Sequence, residues 1–302
     1  MLIFLINSLF AAELLLDDPN FIPKYGAFFF EFISTTMHKE IEYESNGVRV
    51  EQENFKYNDY EVRLSYGLSS RFSLGIGGGY DFDREYELHF GAASTRAGEA
   101  PFQGTARGFT NPFLFFTYDF EPSSPRWTQQ FHIEGNPIEL KTEPGKILYH
   151  GQDILLQYRF GHSYEHGQMH GSLFSKYFGK KDYYAPGDSR LTVSEPYTEV
   201  GLELGYTYRF ISPYIARLTG VFGQSSDFRL RTPEIIRSAD KGTLTSIEFE
   251  FGRYFFDEYF VSVNARSHTR SYNANNEELS RNIEFEIEDQ SVQVMLRTEF
   301  GP

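Results

Sequence analysis

Three histidines, His162, His166 and His170, stand close together in the chain. Imidazoles at such spacing could hold a metal ion. They span a turn and the start of a strand, however, and no Cys or carboxylate spacing completes a ligand set. Ser, His and Asp are frequent, yet no Gly-x-Ser-x-Gly elbow stands between a strand and a helix. Gly75-Ile76-Gly77-Gly78-Gly79 has the look of a phosphate cradle, but it precedes no helix and lacks the lysine. The acidic runs Glu40 to Glu53 and Glu277 to Asp289 read as solvated strand tips and loops. No metal, cofactor or catalytic residue is therefore expected. What chemistry remains is that of charges set on a surface, and the elements carrying them decide which surface.

Those elements are strands. In Tyr197 to Phe210, Val200, Leu202, Leu204, Tyr206, Tyr208 and Phe210 alternate with Glu199, Gly201, Glu203, Gly205, Thr207 and Arg209. A period of two puts one set on each face of a strand, whereas a helix would mix them. The pattern recurs in Tyr60 to Tyr66, Phe72 to Phe82, Ile154 to Phe160, Ile247 to Phe251, Tyr259 to Arg266 and Val292 to Phe300. Strands are predicted over 27–43, 54–67, 71–88, 108–120, 126–139, 148–161, 166–179, 195–210, 213–225, 243–256, 259–272 and 283–300. The apolar parity of the last changes between Ile283, Phe285, Ile287 and Val292, Val294, Leu296, which predicts a β-bulge near Asp289.

Connections alternate. Short ones lie at 68–71, 121–126, 161–166, 211–213 and 256–258; long ones lie near 44–53, 89–107, 140–147, 180–194, 226–242 and 273–282. Composition agrees with this arrangement. The 302 residues hold 31 Phe, 21 Tyr and 26 Gly, while the mean hydropathy is −0.44. No stretch is long and apolar enough for a membrane-spanning helix. Polar-on-average strands rich in aromatics, joined by tight turns at one end and long loops at the other, describe a transmembrane antiparallel β-barrel. The expected fold is thus all-β, with about twelve strands, in the bacterial outer membrane, and with both termini periplasmic. Residues 1–12 read as a signal peptide or its end, with a short structural segment as the alternative, 13–26 as a periplasmic N-terminal segment and 27–302 as the barrel. Tyr25, Tyr66, Trp127, Tyr158, Phe160, Tyr208, Phe210, Phe255, Tyr259 and Phe300 fall at the short-turn ends, as an interfacial aromatic girdle would.

With apolar positions facing lipid, the lumen is lined by Glu61, Arg63, Asp81, Asp153, Arg159, Lys176, Glu199, Glu203, Arg217, Glu248, Glu250, Arg266, His268, Arg270, Arg297 and Glu299. Both signs are present, without a one-sign track. Glu248 and Glu250 fall roughly opposite Arg266 and His268. Gly75, Gly77 and Gly79 form an inward lane that leaves room for long side chains to cross, or for a narrow passage. The net charge of −14 argues against nucleic acid as a partner. Outer-membrane lipids and small-molecule solutes are the partners expected, and the oligomeric state is not readable. Two functions compete: a passive channel or transporter-like pore, and a sealed barrel acting through the loops 89–107, 180–194 and 226–242. A lipid-modifying enzyme stands third and would need a residue such as His150 near the outer rim; the chain is expected not to be an enzyme.

The segment Tyr66-Gly67-Leu68-Ser69-Ser70-Arg71-Phe72-Ser73-Leu74-Gly75-Ile76-Gly77 resembles a strand–turn–strand pattern of the transporter-like outer-membrane barrels of the phenol-degradation meta-pathway type. Gly108-Phe109-Thr110-Asn111-Pro112, leading into Leu114 to Phe120, resembles that family's next strand. The Gly-Asp that usually precedes the strand is missing here. The resemblance covers about 55 residues, implies passage of small molecules, and carries over no functional residue.

Overall fold

The computed structural model describes residues 16–94, 96–120, 126–137, 151–184, 191–210, 213–231, 236–256, 258–276 and 281–301. Their strands are β1 (Phe28–Ser45), β2 (Val48–Gly67), β3 (Phe72–Phe90), β4 (Phe102–Phe109), β5 (Phe113–Asp119), β6 (Trp127–Gly135), β7 (Asp153–Ser163), β8 (Gly167–Phe178), β9 (Lys181–Tyr184), β10 (Leu191–Ser194), β11 (Tyr197–Arg209), β12 (Tyr214–Ser225), β13 (Phe228–Arg231), β14 (Ile236–Ala239), β15 (Gly242–Phe255), β16 (Tyr259–Asn276) and β17 (Arg281–Phe300). All belong to one antiparallel sheet, which closes where β1 pairs with β17 from Phe28↔Phe300 to Glu44↔Glu284. The wall has twelve staves. β4 and β5 are two parts of one stave, both paired with β3. β9–β10 and β13–β14 are short hairpins that pair with each other through β10 and β13 and rejoin the wall at β16. They stand within the expected loops 180–194 and 226–242, so much of those two loops continues the sheet.

The expected long loop at 44–53 is instead a tight hairpin. β1 runs to Ser45 and β2 starts at Val48, and both residues between them have positive φ, Asn46 at 53° and Gly47 at 72°. An Asn-Gly pair in this conformation matches the right-handed twist of the flanking strands. Residues 1–12, His150 and the loop at 140–147 lie outside the described residues.

Period-two alternation decides which face meets lipid. On β15, residues 242, 244, 246, 250 and 252 are buried, while Ile247, Phe249 and Phe251 are exposed on the outside. Leu74, Ile76, Leu114, Leu156, Leu173, Leu204, Leu218, Val263 and Val294 are exposed in the same way. Near the short turns the outer face is aromatic. Tyr25, Trp127, Tyr158, Tyr208, Phe210, Phe255, Tyr259 and Phe300 are exposed there, and Phe28 packs on Tyr66 and Phe300. In lipid every backbone polar group must be paired within the protein, and a closed barrel satisfies that requirement.

No bulge occurs at Asp289. The register of β17 runs unbroken past it on both sides, with Lys39↔Asp289 and His268↔Asp289. The change of parity has another cause: Phe285 and Ile287 point inward. They pack with Tyr43, Tyr272 and Ala239, and a neighbouring cluster holds Phe55, Tyr86 and Ala106. Toward the long-loop end the staves rise above the apolar band, and there the apolar side turns to the interior while Glu284, Glu286 and Glu288 face out beside Glu44, Glu42 and Glu40. The irregularities lie elsewhere, between Tyr43 and Glu44, between Asn58 and Asp59, and between Asp81 and Arg84.

Two of the inward glycines, Gly75 and Gly77, are covered by rings. A Cβ at Gly75 would overlap the Phe115 ring, and one at Gly77 the Phe113 ring. Over-packing a filled site costs about 1–3 kcal/mol. We expect Gly77→Val to destabilise the barrel by about that amount in urea titrations of the lipid-inserted protein, and Phe113→Ala in the same chain to recover part of the loss.

Candidate functional site

Apart from β5, which turns Phe113 and Phe115 inward, the staves carry polar and charged side chains on their inward faces through the middle of the barrel, and those charges must find partners there or keep water. Arg63 on β2 takes three carboxylates. Its Nε donates to Glu61 Oε1 at 2.5 Å and lies 3.7 Å from Glu31 Oε2, while Nη1 donates to Glu134 Oε2 at 3.0 Å. Glu134 is on β6, and β3 and β5 stand between it and β2 in the wall. A contact between non-adjacent staves of a closed barrel runs through its interior. The guanidinium also sits 4.9 Å from the Phe113 ring that covers the glycine lane. A second crossing lies further toward the long loops. Arg270 on β16 donates through Nε to Glu199 Oε1 of β11 at 2.8 Å and through Nη1 to Asp289 Oδ2 at 3.1 Å. These guanidinium–carboxylate bonds are charge-assisted, and Arg63–Glu134 and Arg270–Glu199 each brace staves three steps apart around the wall.

The short-turn end is occupied by the N-terminal segment, Leu16 to Pro23. Leu16 packs on Ile215 and Phe260, with Phe21, Phe29 and Tyr254 around them. Asp17 is fully buried, and a carboxylate there needs donors. Arg209 supplies Nε to Asp17 Oδ2 at 3.1 Å, and Tyr254 donates its hydroxyl to Oδ1 at 2.5 Å. The Asp17 N–H donates back to Tyr254 Oη at 2.8 Å, and Arg217 Nη2 donates to the Asp17 carbonyl. Asp18 accepts from Gln168 Nε2 at 2.7 Å and from the Asn20 N–H at 2.8 Å; burial nonetheless raises its carboxyl above the usual range. Gln130 Nε2 reaches the Asn20 carbonyl at 2.6 Å, and the Lys24 N–H donates to Glu299 at 2.7 Å. The anchoring side chains come from β6, β8, β11, β12, β15 and β17, so the segment is tied around the bore rather than to one wall.

Immediately inside this segment lies a cavity of about 230 Å³. Pro19 and Asn20 form one side of it. Arg159, His170, Ser172, Glu203, Glu248 and Arg297 are among the side chains that line the rest. A space of this size holds several waters or one small solute.

The other residues singled out from sequence find these places. Arg217 pairs with Glu250 across β12 and β15, both almost fully buried, and Arg297 donates to Glu31 at 2.6 Å. Asp81 pairs with Arg84 at the β3 irregularity, and Asp153 accepts from Lys181 at 2.8 Å. Lys176 Nζ lies 4.7 Å from the Phe178 ring. The register sets Glu248 opposite Arg266 and Glu250 opposite Asn264, but the hydrogen bonds go elsewhere. Glu248 accepts from Asn264 at 2.7 Å, and Arg266 donates to Ser246 and approaches His268. Glu31, Glu134, Asp17 and Asp289 were not foreseen. Glu31 and Glu134 sit at inward parity among aromatic or weakly alternating neighbours, which hid them. Of the three histidines, His162 stacks on Trp127 at 4.2 Å, His166 is exposed in a turn, and His170 is buried with its ring over Gly205. Among the described residues no three Cys, His or carboxylate side chains converge as a metal set would.

No protein-family model matches the sequence, and no curated protein does. Solved structures share the fold. The COG4313 outer membrane channel from Pseudomonas putida F1 superposes with a TM-score of 0.60 at 10% identity, over 94% of this chain and 98% of that one. The transport unit of the autotransporter AIDA-I from Escherichia coli gives 0.53 at 11% identity, over 98% and 97%. The chain is a bacterial outer-membrane β-barrel. The closed wall and its outward apolar band suit a bilayer, and the solved structures share that fold.

The buried Arg217–Glu250 pair ties the wall to the segment. Removing one partner strands the other charge, at a cost of about 3–5 kcal/mol. Arg217→Ala should show a loss of that order in unfolding titrations, and Arg217→Met with Glu250→Gln should recover most of it.

Proposed function

We propose that the protein is a passive, transporter-like channel for small molecules, without enzymatic activity, closed at its short-turn end by its own N-terminal segment. The observation that carries this reading is the cavity inside that segment: the middle of the barrel is polar and unfilled where a purely structural barrel would pack side chains. In this reading Glu61, Arg63, Asp81, Asp153, Arg159, Lys176, Glu199, Glu203, Arg217, Glu248, Glu250, Arg266, His268, Arg270, Arg297 and Glu299 line the path. The termini face the periplasm, and the segment is a plug at the periplasmic mouth. From Leu16 to Pro23 it is held by hydrogen bonds to side chains of the wall and by the packing of Leu16 and Phe21, without a paired strand, so it can leave while the wall stays intact. The resemblance of residues 66–77 and 108–120 to transporter-like barrels and the fold shared with an outer-membrane channel both support the reading.

One observation favours a sealed barrel that acts through its outer loops. The apolar clusters around Tyr43, Phe285, Phe55 and Tyr86 are well buried inside the long-loop end. Planar-bilayer recording separates the two. The refolded full chain should give small, infrequent openings, and Asp17→Ala, which removes the carboxylate shared by Arg209 and Tyr254, should raise the open time several-fold. Silence from both proteins would contradict the channel.

A further inference from the structure

The charges around the cavity are not evenly matched with one another. Arg217 has Glu250 and Arg297 has Glu31. Arg159, by contrast, gives Nε and Nη2 to one neutral acceptor, Gln157 Oε1, at 2.9 and 2.6 Å. Among the described residues it has no carboxylate within ion-pair distance. Glu203 makes neither a hydrogen bond nor an ion pair among them, and Glu248 accepts only from the Asn264 amide. Three further polar atoms on the cavity's lining residues, His170 Nδ1, Ser172 Oγ and Arg297 Nη1, are buried without a hydrogen-bond partner among the described residues.

Their order in the wall is regular. Arg159 on β7 faces Ser172 on β8, and Ser172 faces Glu203 on β11. A cation, a hydroxyl and an anion thus follow one another on a single rung, about 10 Å from first to last at two strand spacings. Unpaired charges beside a small enclosed space are costly, because the water that would solvate them is limited. A molecule bearing one carboxylate and one ammonium relieves both at once. Its carboxylate accepts from the guanidinium fork of Arg159 and from Ser172, and its ammonium donates to Glu203 and Glu248. A simple anion or a simple cation satisfies only one end.

We propose that this cavity is a binding site for small zwitterions of the amino-acid type, with Arg159 and Glu203 as the residues that select them. The site depends on the channel reading only for the solute's passage onward. Equilibrium dialysis of the full chain in detergent tests it with three probes of one skeleton: 4-aminobutyrate, butyrate and butylamine. 4-Aminobutyrate should bind at least tenfold tighter than either of the others. Arg159→Gln should bring it down to the level of butylamine, and Glu203→Gln to the level of butyrate. Both variants should keep the heat-modifiable gel migration of a folded barrel; if one does not, the other carries the test. Equal binding of the three probes, no binding at all, or folded variants that bind like the original chain would overturn the site. Bilayer conductance of the same preparations keeps the two readings apart. Binding without conductance leaves the site and removes the channel, and conductance without selective binding does the reverse.

Discussion

Closure of the wall is the constraint on which the rest depends. A sheet in lipid cannot leave an edge, because the unpaired N–H and C=O groups of an edge strand have no water to meet. The pairing of β1 with β17, rung by rung from Phe28↔Phe300 to Glu44↔Glu284, removes that edge. Once closed, every stave's parity is locked to its neighbours'. A slip of one residue would turn its leucines into the bore and its arginines into lipid. The interior polar face and the exterior apolar band are therefore two consequences of one register.

The same register explains what happens beyond the membrane. The staves outrun the bilayer, and their outer face then meets water. Apolar residues there can be buried only inside the barrel, so Tyr43, Phe55, Tyr86, Phe285 and Ile287 point inward while Glu40, Glu42 and Glu44 of β1 and Glu284, Glu286 and Glu288 of β17 point out. A single strand can thus carry both patterns in opposite phase without a bulge. This inversion of environment leaves a polar waist between an apolar upper interior and the N-terminal segment.

Much of this was legible in the residues. Alternation located the twelve staves, and parity marked which charged side chains share a face, because both depend on neighbours two residues apart. What escaped depends on closure or on distance. The Arg63–Glu134 and Arg270–Glu199 bridges join staves that meet only across the bore. Residues 44–53 read as a long loop because they lie in an acidic run that hides the Asn46-Gly47 turn, and the phase change in β17 read as a bulge because a lone strand does not reveal where lipid ends. Residues 13–26 read as a periplasmic N-terminal segment, without the contacts that tie it to the wall. Nothing local tells Asp17 that Arg209, Arg217 and Tyr254, some two hundred residues away, will surround it.

Closure of the bore by that segment is tested directly by cysteine labelling at position 20. The chain has no cysteine, and Asn20 is almost fully buried, bonded through its own N–H and carbonyl. In Asn20→Cys protein, a membrane-impermeant maleimide should react slowly, and adding Asp17→Asn should speed the reaction more than tenfold. Fast labelling with Asp17 in place would contradict the closure, and so would a rate that Asp17→Asn leaves unchanged.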